Sequence, residues 1–134
     1  MKGKYLEGTG DEGTAAVVAI ADQKFECMDC LGYGRSRGNK PGDGVDVRFV
    51  AGLVKEDERG KIEVHPNPQQ RKALECLNGW RYRAFGEVTA VDPETTLDCG
   101  DVEVTLPDHG GNIFAVGDFV MVEILRLDCW RARG

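Results

Sequence analysis

The stretch Trp80-Arg81-Tyr82-Arg83-Ala84-Phe85-Gly86-Glu87-Val88-Thr89-Ala90-Val91 is the longest alternating run in the chain. Trp80, Tyr82, Ala84, Val88 and Ala90 fall on one side. Arg81, Arg83, Phe85, Glu87 and Thr89 fall on the other. A period of two over this length predicts a half-buried β-strand. The same reading applies to Val45, Val47, Phe49, Ala51 and Leu53, which alternate with Asp46, Arg48, Val50 and Gly52. Ala15 to Ala21, short and β-branched at its centre, predicts a strand buried on both faces. Phe119 to Trp130, apolar on both sides for much of its length, predicts a central strand, and Leu97 to Leu106 a further one.

Between these groups Asn67-Pro68 offers a helix N-cap and a favourable first position. Ala73, Leu74 and Leu77 follow at helical spacing, and Asn78-Gly79 suits a left-handed C-cap. The expectation is therefore one short α-helix between strand groups in a mainly β chain, with five to six strands forming a small closed or partly open β-barrel. That order of elements is similar to the OB-fold over roughly Thr14 to Trp130, and the resemblance implies a binding surface on one side of the barrel. Met1 to Gly13, glycine-rich and polar, reads as a flexible N-terminal arm before a single β-barrel domain spanning 14–134.

With 134 residues the chain has room for one ordinary domain. Its net charge of −6 argues against broad electrostatic capture of nucleic acid but leaves room for a local basic surface. No apolar run is long enough to cross a membrane as a helix. Five cysteines behind a start without a secretory signal point to thiols in a reducing cytoplasm.

Cys27-Met28-Asp29-Cys30-Leu31-Gly32-Tyr33-Gly34 has the shape of a zinc knuckle. Two thiolates can share a metal, and the glycines allow the tight turn behind the second cysteine. The pattern resembles one repeat of the zinc-binding region of the DnaJ chaperones, and that resemblance implies zinc at Cys27 and Cys30. A tetrahedral site needs two more ligands, and Cys76, Cys99, Cys129, His65 and His109 supply no second close pair. Two other readings stand beside zinc. Cys27 can be a small buried hydrophobe, or the pair can be a redox dithiol.

Directly after the knuckle, Leu31 to Gly44 carries Arg35, Arg37 and Lys40 against the single anion Asp43. Cations in a glycine-rich loop beside Tyr33 suit a phosphate backbone and a stacked base. A solvated hairpin connection is the plainer alternative. The loop is not a P-loop, because Pro41 follows Lys40. Arg81 and Arg83, interleaved with aromatic residues, could add charge to a single-strand binding face, or simply face water while Trp80 and Tyr82 enter the core. Trp130-Arg131-Ala132-Arg133 invites the same two readings.

No nucleophile elbow and no paired histidines on one helix face are present. The reading is a non-enzymatic binding module for single-stranded nucleic acid, using Tyr33, Arg35, Arg37, Lys40, Arg81 and Arg83. The alternative is a protein-interaction or regulatory domain, with or without structural zinc at Cys27 and Cys30.

Overall fold

In the computed structural model the chain is mainly β, and residues 1–34, 38–107 and 113–133 are described. Ten strands form: β1 (Lys2–Gly8), β2 (Ala15–Ile20), β3 (Gln23–Asp29), β4 (Gly44–Val54), β5 (Val64–Pro66), β6 (Ala73–Asn78), β7 (Arg81–Ala90), β8 (Thr95–Asp98), β9 (Glu103–Leu106) and β10 (Phe119–Arg131).

The long strand β10 organises them. Its first half, Phe119 to Ile124, pairs antiparallel with β7 and, on the other edge, with β5. Its second half, Arg126 to Arg131, pairs antiparallel with β4, while Asp128 and Cys129 pair in parallel with the end of β3. Two circuits of pairing result, and they share the β4–β10 ladder. One runs β10–β3–β2–β1–β4, the other β10–β4–β9–β8–β7. Together they make a ring of eight strands, with β5 and β6 attached at its edges. From Phe119 to Leu125 β10 alternates half-buried with buried residues, and it is buried at consecutive positions only over Leu127–Cys129, so burial of both faces holds for that short part alone.

The alternation in β7 is as expected. Tyr82, Ala84 and Val88 are buried and Arg81 and Arg83 are exposed. In β4, Val47, Phe49 and Ala51 are buried, but Leu53 is half-exposed. The register against β10 shifts at Gly52, so the extra residue turns Leu53 outward and Val54 inward. Gly52 also leaves room for the Arg126–Asp128 ion pair, whose carboxylate a Cβ there would meet.

Several expectations are corrected. The helix over Asn67 to Gly79 is absent. The Asn67 side chain does cap, but it closes a loop: its Oδ1 accepts from the Arg71 N–H at 3.1 Å and its Nδ2 donates to the Arg71 carbonyl at 2.9 Å. Gln70 then takes a left-handed φ of 53°, which stops helix propagation. Three apolar residues cannot hold a short helix on their own, and the edge of β7 offers Ala73–Asn78 a ladder instead. Asn78-Gly79 serves a two-residue hairpin loop with Gly79 at the first central position. Among the described residues the strand count is ten, above five to six, partly because Leu97 to Leu106 breaks at a turn where Asp98 Oδ1 accepts the Gly100 N–H.

Met1 to Gly13 is not a loose arm throughout. Lys2–Gly8 is β1, paired with β2 and β4. Its Tyr5 is fully buried, and that single aromatic anchor outweighs the polar glycine-rich composition around it. β2 is not buried on both faces either; Ala16, Val18 and Ile20 are buried and Ala15 is exposed.

The core joins both circuits. Phe25 packs edge-on against Phe49 with ring centroids 5.2 Å apart, and Tyr82 lies 6.3 Å from Phe25. The Tyr82 hydroxyl donates to the Glu26 carbonyl at 2.8 Å and accepts its N–H at 2.7 Å, tying β7 to β3. Among the described residues no helix is long and apolar enough to cross a membrane.

Candidate nucleic-acid interface

The end of β3 and the end of β10 lie side by side, and the knuckle sequence begins there. Asp29 is fully buried, yet each of its polar groups is matched. Its Oδ2 accepts the Tyr5 hydroxyl at 2.8 Å, its Oδ1 accepts the Leu31 N–H at 2.9 Å, and its carbonyl accepts the Gly13 N–H. The Tyr5 oxygen in turn accepts the Gly10 N–H at 3.2 Å. This chain of bonds fixes where the backbone leaves β3. Burial and the Asp29 carboxylate push the Tyr5 phenol well above its ordinary value.

The cysteines serve the same junction. Cys27 and Cys129 are fully buried and Cys30 nearly so. The Cys129 thiol lies 3.3 Å from the Met28 carbonyl, and the Cys30 N–H donates to the Cys129 carbonyl at 2.9 Å. The neighbouring Cys129 thiol and burial push the Cys27 thiol far up; burial pushes the Cys30 thiol up to about 12. Raised thiols in the core stay protonated at neutral pH in the metal-free protein, unlike the thiolate of a reactive dithiol. Among the described residues no group of three His, Cys, Asp or Glu side chains is arranged to hold a metal ion.

From this base the turn Leu31 to Gly34 reaches out over β10. Tyr33 is 59% exposed and its ring meets that of Trp130, with centroids 5.6 Å apart and planes inclined by 44°. Arg131 Nη2 donates to the Tyr33 carbonyl at 2.9 Å, holding the turn in place. Tyr33 and Trp130 line a groove of about 400 Å³ together with Cys30, Arg131, Ala132 and Arg133. A second groove of about 200 Å³ lies on the other side of Arg131 and Ala132, lined also by Leu31, Asn39 and Val45.

Arg35 and Arg37 lie outside the described residues. Both flanks of that segment are placed. Gly34 sits beside the Arg131 guanidinium, and Gly38-Asn39 crosses Gly10 so closely that a Cβ on Gly38 would meet the Gly10 main chain. Lys40 is exposed in the tight turn Lys40-Pro41-Gly42-Asp43, whose Gly42 has a φ of 98°. Asp43 Oδ2 accepts the Lys40 N–H at 2.9 Å. Lys40 is not among the residues lining either groove.

Arg81 and Arg83 are not brought to Tyr33. Arg81 pairs with Glu123 at 2.9 Å, and Arg83 stands opposite Glu123 in the β7–β10 register. Glu123 and Trp130 lie toward opposite ends of β10, about 20 Å apart at the rise of a strand. Of the two aromatics expected in the core beneath these arginines, Tyr82 is buried but Trp80 is only half-buried.

One residue beside the groove, though not lining it, carries no signal in the sequence. Arg48 stands directly opposite Trp130 in the β4–β10 register. In the sequence it is simply a polar position of an alternating strand, and only the register reveals its neighbour.

Comparison with family models, with curated proteins and with solved structures finds no match for this chain.

Proposed function

We propose that this chain is a non-enzymatic module that binds single-stranded nucleic acid in the groove between Tyr33 and Arg133. In this reading the first circuit of strands acts as a small, partly closed barrel with OB-like use of one side. The observation that carries it is the exposed Tyr33 ring set against Trp130, with Arg131 and Arg133 in the same groove. Aromatic faces accept any base by stacking, and the adjacent guanidiniums suit the phosphates on either side. The net charge of −6 does not oppose this, because only the local field at the groove meets the ligand. In sequence, Arg35 and Arg37 lie shortly after Tyr33 and belong to the same proposed ligand-binding set.

The test is titration with a fluorescein-labelled oligothymidylate, followed by anisotropy at increasing salt. The expected result is binding that weakens linearly on a log–log plot, by about 0.7 in slope per phosphate contacted. No binding at low salt, or affinity unchanged by salt, contradicts the reading. Capture of a protein partner that survives nuclease treatment, without oligonucleotide binding, favours the protein-interaction alternative.

A further inference from the structure

Arg133, which lines the groove, shares a carboxylate with Arg48, which lies beside the groove without lining it. Arg133 Nη2 donates to Glu94 Oε1 at 2.9 Å, and Arg48 Nη1 faces Glu94 Oε2 at 3.5 Å. One carboxylate therefore bridges two guanidiniums, and both belong to the Trp130 end of the sheet. Arg48 lies across from Trp130, and Arg133 lines the groove with it.

This bridge leaves hydrogen bonding unfinished. Arg48 Nε is buried and has no partner among the described residues. A buried guanidinium N–H without an acceptor is costly. A carboxylate has two oxygens, and Glu94 gives one to each arginine. A nucleic-acid phosphodiester also carries one negative charge on two non-bridging oxygens, so it can replace the Glu94 carboxylate contact for contact. Glu94 is also easy to displace. It closes the turn after Val91, Asp92 and Pro93, all of them exposed, and its side chain is 37% exposed.

We propose that Arg48 and Arg133 form a phosphate subsite that Glu94 occupies when no ligand is bound. Glu94 is then an internal stand-in for a nucleic-acid phosphate. It restrains binding at the groove and raises selectivity for ligands with a phosphate next to the base stacked at Tyr33 and Trp130. This inference rests on the proposed function of the groove.

The experiment compares the protein with Glu94→Gln and with the double variant Glu94→Gln/Arg133→Gln, using labelled oligothymidylate and anisotropy at several salt concentrations. Thermal unfolding establishes that each variant is folded. Glu94→Gln is expected to bind about two- to fivefold tighter, the range of an exposed ion pair released, with a salt slope steeper by about 0.7. The double variant should lose both gains. If the unaltered protein binds and Glu94→Gln binds equally or more weakly, the inference is overturned while the groove reading stands. If neither protein binds the oligonucleotide, the groove reading fails and the inference fails with it.

Discussion

Tyr33 and Trp130 come from opposite ends of the chain and meet with ring centroids 5.6 Å apart. The contact exists because β3 and β10 run in parallel at this edge, with Asp29 level with Cys129. A parallel pair brings together segments that need not be close in sequence. Tyr33 is thus placed by the turn behind Cys30, and Trp130 by the ladder to β4. Neither ring depends on the other for its position, so Tyr33 can be altered without disturbing the core.

The thiols give the first prediction. Cys76 is exposed on the edge strand β6, whereas Cys27, Cys30, Cys99 and Cys129 are buried. Burial holds the Cys30 and Cys99 thiols up at about 12, so thiolate is scarce at pH 8. Native protein should show one rapidly reacting thiol of five with dithiobis-nitrobenzoate at pH 8, and all five in denaturant. Two or more fast thiols in native protein would contradict the packing of the β3–β10 junction.

A second prediction concerns the buried bond from Tyr5 to Asp29. Tyr5→Phe removes the hydroxyl, leaving one carboxylate oxygen and the Gly10 N–H without that partner. The cost should be about 1–3 kcal/mol of stability, read by denaturant unfolding. Gly10 packs against the return of the Leu31 to Gly44 loop, so the same variant should also increase proteolytic cleavage in that loop. An unchanged midpoint with unchanged proteolysis would show that the bond does not anchor the loop.

Asp98 supplies a pH dependence with a defined sign. The Lys72 ammonium, hydrogen-bonded at 2.8 Å, and the Gly100 N–H hold the Asp98 carboxyl below the usual carboxylate range. A carboxyl lowered in the folded state contributes stability above its unfolded value, near pH 4, and loses it as pH falls through the folded value. Asp98→Asn should therefore lower the Tm at pH 6–7 by a small amount, and the difference should shrink as the pH falls below about 4. A Tm difference that grows on acidification has the wrong sign for this account.

How much of this was readable in the sequence depends on the kind of signal. The alternation of Arg81, Tyr82, Arg83 and Ala84 survives folding because burial of one face decides it locally. The Asn67 to Gly79 segment misleads because Asn-Gly fits a helix end and a hairpin loop equally well, and only the nearby β7 edge decides between them. β1 escapes notice because one buried residue, Tyr5, holds it, and because one of its two pairing partners, β4, lies far along the chain. At the groove, Tyr33 and the Trp130-Arg131-Ala132-Arg133 run are visible as separate candidates. Their meeting, and the approach of Arg48 and Glu94, follow from cross-strand register that carries no local trace.

The most direct measurement of the central claim is the affinity of labelled oligothymidylate for the protein and for Tyr33→Ala, side by side at one low salt concentration. Tyr33 is 59% exposed, so the variant should keep the Tm of the parent. Loss of one stacking face should weaken binding by about 1–3 kcal/mol, roughly five- to 150-fold, and Tyr33→Trp should retain it. Equal affinity of the parent and Tyr33→Ala would contradict the assignment of the Tyr33–Trp130 groove as the binding site.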